Sequence, residues 1–310
     1  MTTVPAPLVK QLRDKTGAGM MDCKRALVES GADMAAAVDW LRKKGLAKAA
    51  NTADRIAADG LIGVTPAGKR AAIVEVNSET DFVARNEKFQ DMVRTIVSLA
   101  PKADGDMAKL LAMTYPGSGQ TVEDYVKAQV ATIGEKMAVR RTAALKVGTG
   151  LVVDYVHNKL GDGLGKMGVL VALNSKGKKD ALLAFGRQLA MHVAAANPQA
   201  VTAEDLDPAL IERERAIYKE QAKTAGKPAH VIDKVAEAAL NREFFRQVVL
   251  MQQVFVVDGK STVAQAVEAA QKDIGAPIKI AGFVRYVLGE GIDKKDGDFA
   301  AEVAAAAKKR

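Results

Sequence analysis

Two stretches of the sequence have glycine spacings similar to those of loops that bind phosphate groups in other proteins. Residues 163–168 (Gly-Leu-Gly-Lys-Met-Gly) match the spacing of a dinucleotide-binding turn, but that turn needs a following helix whose N-terminus holds the pyrophosphate. A β-branched strand follows here, which favours a hairpin turn. Residues 259–261 (Gly-Lys-Ser) match the end of a phosphate-binding loop, yet Val254 stands where that loop needs its first glycine. The sequence therefore predicts no direct nucleotide binding.

The residues that most often act as nucleophiles or metal ligands are few and scattered. Cys23 is the single cysteine, which excludes an internal disulfide, and it falls on the apolar face of a predicted helix. His157, His192 and His230 are far apart in sequence, which argues against a closed structural zinc site. His192 lies among Ala and Met, so a packed or locally hydrogen-bonded histidine is the simpler interpretation. We expect no metal, no cofactor and no catalytic centre, hence no enzyme.

Two short segments carry side chains suited to contact with another molecule. Met20 and Met21 follow a Gly-Ala-Gly turn, where adaptable thioethers suit a binding surface; the alternative is one core and one exposed methionine. Residues 77–86 join a strand to a helix, a position that often carries function. Phe82 lies seven residues before the next phenylalanine, so a place in the core is one interpretation. If the helix begins later, Phe82 and Asp81 project outward together, and we call this pair the wedge.

Composition is that of an ordinary globular protein with a moderate basic excess. The 310 residues include 45 Lys and Arg against 37 Asp and Glu, a net charge of +8. This excess suits an acidic partner or a nucleic acid, although five Tyr, eight Phe and one Trp leave few aromatic side chains to stack on bases. No apolar run approaches the roughly 18 residues of a membrane span. The start lacks a secretion signal, so we expect a cytoplasmic protein.

The contact segments need rigid elements to hold them, and the sequence divides into four parts that supply such elements. Residues 1–56 are predicted to form a three-helix bundle with Gly-rich turns and a helical linker. Residues 57–146 and 147–288 are predicted to be the two halves of an α+β core. Residues 289–310 are predicted to form a C-terminal module with a short helix from Asp298.

The core contains the same order of elements twice, which predicts an internal duplication. A strand, a turn, a second strand and an amphipathic helix occupy residues 60–100. The order recurs in weaker form over residues 152–195, with a Gly-rich turn at 161–168. The hairpins favour antiparallel sheets over a doubly wound parallel sheet. Residues 254–257 and 278–287 are predicted as further strands.

A helical insertion is predicted in the second half of the core, at residues 203–245. Apolar residues recur at helical spacing on both sides of a Gly-Lys-Pro break at 226–228, and the outer faces are charged. This pattern indicates an antiparallel helical hairpin that projects from the body of the protein.

Several separated motifs together are more specific than any one of them. Residues 16–24 have the sequence Thr-Gly-Ala-Gly-Met-Met-Asp-Cys-Lys, and residues 79–86 have Glu-Thr-Asp-Phe-Val-Ala-Arg-Asn. Further motifs lie at residues 133–135, 140–141, 155–157, 190–195 and 298–303. Over essentially the whole chain and in the expected order, these motifs resemble the long form of the bacterial translation elongation factor Ts family.

The resemblance implies a fold and an activity. The N-terminal bundle would be similar to ubiquitin-associated domains, without ubiquitin binding, and would precede the duplicated core. The activity implied is guanine nucleotide exchange on elongation factor Tu, with that GTPase as the partner. The remaining alternatives are a nucleic-acid-binding module without exchange activity, a scaffold that leaves its partner's nucleotide unchanged, and an enzyme.

The resemblance also implies roles for the residues around the wedge. Thr80, Asp81, Phe82 and Val83 match the family segment that intrudes beside the partner's magnesium site and disturbs the ion and the helices supporting it. Asp81 could act by repelling phosphate or by redirecting groups of the partner, and the sequence leaves both open.

Further residues match partner contacts elsewhere on the chain. Arg13, Met20 and Met21 match residues that brace the N-terminal module on the partner's nucleotide-binding domain. His157 matches a residue on the C-terminal half of the core, which faces the partner's far domain. The sequence departs from the family pattern at two places: Val254 replaces a usual proline, and residues 158–166 are longer than the usual turn.

Overall fold

The computed structural model describes residues 4–16, 18–51 and 54–293. Within these residues the chain forms an N-terminal helical module, an α+β core of two similar halves and a helical hairpin. The predicted α+β fold class is therefore confirmed. The short helix predicted from Asp298 lies outside the described residues.

Three helices form the N-terminal module: α1 (Ala6–Thr16), α2 (Met20–Glu29) and α3 (Met34–Asn51). The fully buried side chains of its small core are Leu12, Cys23, Ala26, Leu27 and Ala37. Asp33 caps α3 by accepting a hydrogen bond from the Ala36 N–H at 2.8 Å. Cys23 is fully buried, so the one cysteine is a core residue, as predicted, and burial raises the pKa of its thiol.

A close helix crossing holds this module against the core. Helix α3 packs on α7 (Val122–Ile133), and a Cβ placed on Gly45 would lie 2.4 Å from the Cβ of Ala131. Only a residue without a side chain fits there, so Gly45 sets the separation of the two helices. The position of α2 relative to the core follows from this crossing.

The first half of the core is a three-stranded antiparallel unit covered by helices on one face. Its strands are β1 (Asp59–Val64), β2 (Arg70–Ser78) and β3 (Met137–Lys146), with β2 in the centre. Its helices, between β2 and β3, are α4 (Asp81–Ala84), α5 (Glu87–Ala103), α6 (Met107–Ala112) and α7. Alternate residues of β2 (Ala72, Val74 and Val76) share a buried cluster with residues of α5 and α7, as the period of a half-buried strand requires.

The second half repeats this arrangement. Its strands are β4 (Gly150–Gly161), β5 (Leu164–Asn174) and β6 (Lys279–Val287), with β5 in the centre. Its helices are α8 (Lys179–Ala196) and, after the hairpin described below, α12 (Val263–Ile274). The last helix of each half begins with a threonine cap, Thr121 for α7 and Thr262 for α12. The order of strands and helices is the duplication that the sequence predicts.

The two halves share one sheet and one inner core. In the described chain, β1 pairs with β5 only at residues 62–63 and 164–165, which gives the strand order β3-β2-β1-β5-β4 with β6 also on β5. Residues from the helix-free faces, such as Ile73 and Leu170, form a common buried cluster. The antiparallel pairing is as predicted, but the repeats join in a single six-stranded sheet.

Two local predictions in the second half are wrong. The Gly-rich turn predicted at 161–168 is mostly strand, because β4 continues to Gly161 and β5 begins at Leu164, whose side chain is fully buried. The strand predicted at 254–257 is only an isolated bridge between Val254 and Thr262. The chain has to turn there to reach the start of α12.

The helical hairpin consists of α9 (Pro208–Thr224) and α10 (Ile232–Ala239), which continues as a π-helix (Leu240–Phe245) and α11 (Arg246–Val248). Short 3₁₀ turns lie at Ala203–Asp205, Ala229–Val231 and Leu250–Gln252. Ion pairs join the two long helices, from Arg215 to Glu237 and from Lys219 to Asp233. The predicted hairpin and the strand predicted at 278–287 are both confirmed.

Candidate functional site

The connection between β2 and α5 carries the most exposed large apolar side chain in the described part of the chain. Phe82 is 80% exposed, whereas its neighbours Val83 and Ala84 in the single turn α4 are buried. Seven residues on, Phe89 is fully buried at the start of α5. The spacing misleads because α4 and α5 are separate helices: Asn86 begins the second one by accepting a hydrogen bond from the Lys88 N–H at 2.9 Å. The interpretation of Phe82 as a core residue is excluded.

Asp81 lies beside Phe82 and is half-exposed. Its carboxylate accepts a hydrogen bond from Nη2 of Arg85 at 3.1 Å, one helical turn on. Exposed pairs of this kind contribute about 0.2–1 kcal/mol, so Asp81 can exchange Arg85 for another cation or donor at little cost. The wedge therefore presents an aromatic ring next to a carboxylate that is only weakly held.

A cleft of about 400 Å³ separates the wedge from the tip of the β4–β5 hairpin. Asp81 and Arg85 line one side, and Lys159 and Lys166 line the other with neighbouring residues. Lys166 is paired with Asp59 at 3.6 Å. The cleft brings a connection of the first half next to a hairpin of the second, and the surface around the wedge is thus built by both halves.

Thr80 precedes the wedge and is fixed by a distant carboxylate. The Thr80 N–H and hydroxyl donate to the two oxygens of Glu135 at 3.1 and 2.8 Å. In return, the Lys136 N–H donates to Oε1 of Glu79 at 2.5 Å. The connection after β2 and the connection after α7 are therefore joined by hydrogen bonds in both directions, and we call the Glu135–Thr80 contact the tether.

Val83, predicted among the contact residues, belongs to the buried cluster beneath α4 together with Phe89. Its side chain is 7% exposed, so in this chain it anchors the turn from below. Thr80 is half-buried and uses its hydroxyl on Glu135. Of the four residues predicted around the magnesium site, the structure thus exposes Phe82 and part of Asp81, and gives Thr80 and Val83 supporting positions.

A second exposed surface lies at the start of α2 in the N-terminal module. Met20 is 51% and Met21 71% exposed, which excludes the alternative of one core methionine. Arg13 on α1 is also exposed. Asp22, the residue after Met21, forms an ion pair with Lys44 at 2.7 Å, which connects α2 to α3.

His157 is exposed on β4, and its Nδ1 lies 3.1 Å from the Tyr155 hydroxyl. It is opposite Met167 in the β4–β5 register. The next two residues, Asn158 and Lys159, line the cleft beside Asp81. His157 therefore lies one residue before the cleft lining, and no hydrogen bond or ion pair among the described residues joins it to the wedge.

His192 is fully buried and connects α8 to the segment before α12. Its Nδ1 accepts from the Val256 N–H at 3.2 Å, and its Nε2 lies 3.0 Å from Oε1 of Gln253. Burial lowers the pKa of His192, so the neutral ring is the stable form. The prediction of a packed, hydrogen-bonded histidine is confirmed, and Val254, where the family usually has proline, is exposed on the segment it holds.

Glu75 is a buried charge that the sequence analysis did not single out. It is fully buried in β2 and accepts hydrogen bonds from Arg140, Arg141 and the Gly289 N–H. Burial alone would raise the pKa of this carboxyl, but hydrogen bonds from the Gly289 N–H, Arg141 and Asn77 hold it below its ordinary value. The sequence does contain a signal for this site: a glutamate stands within the apolar run of β2, and two adjacent arginines, Arg140 and Arg141, occur in β3.

The described residues contain no group of three or more His, Cys, Asp and Glu side chains placed to hold a metal ion. In the same residues, no helix combines the length and apolar character needed to cross a bilayer.

The fold and these surfaces define a class of protein: an α+β scaffold that presents an exposed aromatic ring and two exposed methionines on anchored elements, as surfaces that bind other proteins do. A family model described as Elongation factor TS matches residues 79–290. Elongation factor Ts of Parvibaculum lavamentivorans is 58% identical over 308 residues, covering 99% of this chain and 100% of that protein. The chain therefore belongs to the elongation factor Ts family of translation elongation factors.

Other relatives agree over similar lengths. Elongation factor Ts of Sinorhizobium fredii is 56% identical over 306 residues, with 99% of each chain covered. That of Allorhizobium ampelinum is 56% identical over 308 residues, covering 99% of this chain and 100% of that protein. The similarity thus includes the N-terminal module, which precedes the residues matched by the family model.

Proposed function

We propose that this chain releases GDP from elongation factor Tu by placing the wedge beside the magnesium and phosphate site of that GTPase, and that it binds the nucleotide-free form most tightly. Membership of the elongation factor Ts family implies the coarser function, nucleotide exchange on elongation factor Tu. The observation that supports the finer proposal is the 80% exposure of Phe82 on a turn anchored by buried Val83.

An exchange factor needs differential binding and no bond-making group of its own. Whatever it gains by preferring the nucleotide-free partner, the partner loses in nucleotide affinity, because the coupling is reciprocal. Burying one Phe side chain contributes about 1.5–3 kcal/mol, which corresponds to about one to two factors of ten in an equilibrium constant. Phe82 alone therefore accounts for part of a large acceleration, and other contacts supply the rest.

Arg13, Met20 and Met21 are proposed to supply further contacts, on the partner's nucleotide-binding domain. The two methionines are exposed on a helix that the α3–α7 crossing orients relative to the core. His157 is proposed to contact the far domain from the second half. These contacts would determine how deeply the wedge enters, since a rigid chain docked at several points leaves Phe82 little freedom to withdraw.

Asp81 is proposed to act on charge at the magnesium site. Its pair with Arg85 is exposed and weak, so the carboxylate can turn to groups of the partner. A bound magnesium ion is among the largest local charges holding the phosphates. A carboxylate placed beside it would weaken the phosphate site either by repelling phosphate or by redirecting groups of the partner.

Stopped-flow release of a fluorescent GDP from elongation factor Tu, with and without the chain, tests the proposal. We expect the wild-type chain to accelerate release and Phe82→Ala to lower the maximal rate by about ten- to a hundredfold, with an unchanged thermal midpoint. The control Ile217→Ala shortens an exposed apolar side chain of α9 and should change the rate by less than about twofold.

Two results would contradict the proposal at different levels. If the wild-type chain does not accelerate GDP release, the proposed function is wrong. If Phe82→Ala unfolds but retains normal exchange per folded molecule, the ring is a structural residue and the wedge mechanism is wrong.

A further inference from the structure

We infer that Glu135 is a positioning residue: by holding Thr80, it sets the direction in which Phe82 projects. This inference rests on the proposed function, because it assigns a residue that acts through the wedge and does not itself touch the partner's nucleotide.

The tether uses both carboxylate oxygens of Glu135 on a single residue. The Thr80 N–H donates to Oε2 at 3.1 Å and the hydroxyl donates to Oε1 at 2.8 Å, across 55 positions of sequence. Thr80 stands at the N-cap of α4, yet its side chain makes no capping bond to that helix. Its hydroxyl is committed to Glu135, so the start of α4 is fixed from outside the helix.

Glu135 is itself held in place. It follows Gly134, which ends α7 in the left-handed conformation and returns a hydrogen bond to Val130. The next residue, Lys136, donates its N–H to Glu79 at 2.5 Å and its Nζ to the Arg55 carbonyl at 2.8 Å. The carboxylate thus projects from just past the end of the 12-residue helix α7, which is a suitable base for orienting a shorter one.

The turn α4 cannot orient Phe82 unaided. It has four residues, and an isolated helix of one turn is unstable because nucleation costs more than its few hydrogen bonds return. Val83 and Ala84 anchor its inner face, and Gln90 donates to the Ala84 carbonyl at its C-terminal end. The tether fixes the end from which the wedge projects.

A pair of substitutions at Glu135 tests this role. Glu135→Ala removes both acceptors, and we expect it to lower the maximal rate of GDP release by about tenfold, the effect of losing about 1.4 kcal/mol. The chain concentration for half-maximal rate should change by less than about threefold, since the docking surfaces are intact. Glu135→Gln should restore most of the rate, because its amide oxygen accepts from the Thr80 N–H and its amide nitrogen donates to the hydroxyl oxygen.

The matched control is Glu123→Ala, which removes an exposed carboxylate from the other end of α7. Glu123 pairs with Lys127 at 2.7 Å, and no hydrogen bond or ion pair in the described part of the chain joins it to the wedge. We expect its exchange rate to stay within about twofold of wild type. A loss equal to that of Glu135→Ala would overturn the inference, since it would reflect charge alone.

A double variant separates positioning from a general effect on the fold. If Glu135 acts through the ring, Glu135→Ala should slow a Phe82→Ala chain by less than about twofold; a full additional loss of about tenfold would overturn the inference. If Glu135→Ala does not fold, Thr80→Val takes its place, because it removes the hydroxyl donor and keeps the N–H. A normal rate for that variant would overturn the inference.

The failure of this inference and that of the proposed function look different. Normal exchange by Glu135→Ala beside slow exchange by Phe82→Ala overturns the positioning role alone. Normal exchange by Phe82→Ala contradicts the wedge mechanism and the positioning role with it.

Discussion

The two halves of the core have the same scaffold and different strand-to-helix connections. In the first half, residues 79–86 join β2 to α5 through the extra turn α4 and expose Phe82. In the second half, residues 175–178 join β5 to α8 directly. Both connections contact the end of the last helix of their half, through Glu135 in the first and through Ile274 in the second.

The contacts at these helix ends differ in kind. In the second half the Lys178 N–H donates to the Ile274 carbonyl at 2.9 Å, and Gly177 lies so close that a Cβ there would be 2.4 Å from Cγ2 of Ile274. In the first half a long carboxylate side chain spans the gap and holds the connection at a distance. Two halves with the same scaffold thus differ in a connection, which is where functional residues are often found, and the first connection is the one that exposes Phe82.

The largest effect is expected when one exposed side chain of each connection is shortened and the two variants are compared. Phe82→Ala should lower the GDP release rate by about ten- to a hundredfold, whereas Lys176→Ala in the second connection should change it by less than about twofold. Both variants should keep the wild-type thermal midpoint, since both side chains are exposed. An equal loss from both variants would mean that the connections do not differ in function.

The next effect is on stability. Gly177→Ala places a Cβ against Ile274, including its backbone carbonyl oxygen at 2.5 Å, so the helix end must move. We expect a loss of about 1–3 kcal/mol in the free energy of unfolding, measured by urea denaturation. Exchange per folded molecule should be normal. A marked loss of exchange without a loss of stability would show that the second connection also contacts the partner.

A smaller effect concerns the N-terminal module. The double variant Met20→Ala, Met21→Ala should weaken partner binding by about tenfold, measured by calorimetric titration, because it removes two exposed apolar contacts. Its thermal midpoint should change little. A fall in midpoint large enough to explain the lost binding would contradict the assignment of these residues to the partner surface.

The smallest expected effect is a difference between the two halves in how acid lowers the stability of the fold. Burial lowers the pKa of His192 below its ordinary 6.5. Hydrogen bonds from the Gly289 N–H and Arg141 hold the pKa of Glu75 below its ordinary 4.5 against the effect of burial. For both groups the unfolded chain binds its proton at higher pH than the folded chain. Their stabilisation is therefore present above these ordinary values and is lost as the pH falls.

Urea denaturation between pH 7.5 and 4 measures this difference. Stability should fall first below about pH 6.5 through His192 in the second half, then below about pH 4.5 through Glu75 in the first, with at most about 1.4 kcal/mol per pH unit for each group. His192→Gln should remove the first decline, and the control His230→Gln at an exposed position should retain it. A first decline that survives His192→Gln would contradict the assignment.

Local patterns in the sequence predict the repeated elements because each buries one regular face. The stripe of α5 and the apolar run of β2 are both strong signals, and both are confirmed. Phe82 remained ambiguous because seven residues is a helical repeat. Asn86, which caps α5, is the signal that separates the two helices.

The tether and the Glu75 contacts depend on residues that are distant in sequence. Glu135 reaches Thr80 across 55 positions, and the Gly289 N–H reaches Glu75 across 214. Contacts over such distances depend on how the strands pair and where the helices end, and local residue spacing does not give this information. The strand wrongly predicted at 254–257 is the reverse case: strand-forming valines there are overruled by the turn needed before α12.

The most direct test of the central claim is the preference of this chain for the nucleotide-free partner. Calorimetry would measure its affinity for elongation factor Tu without nucleotide and with GDP and magnesium, for wild type and Phe82→Ala. We predict that wild type prefers the nucleotide-free form and that Phe82→Ala loses about ten- to a hundredfold of that preference. Equal preference in the two chains would contradict the account.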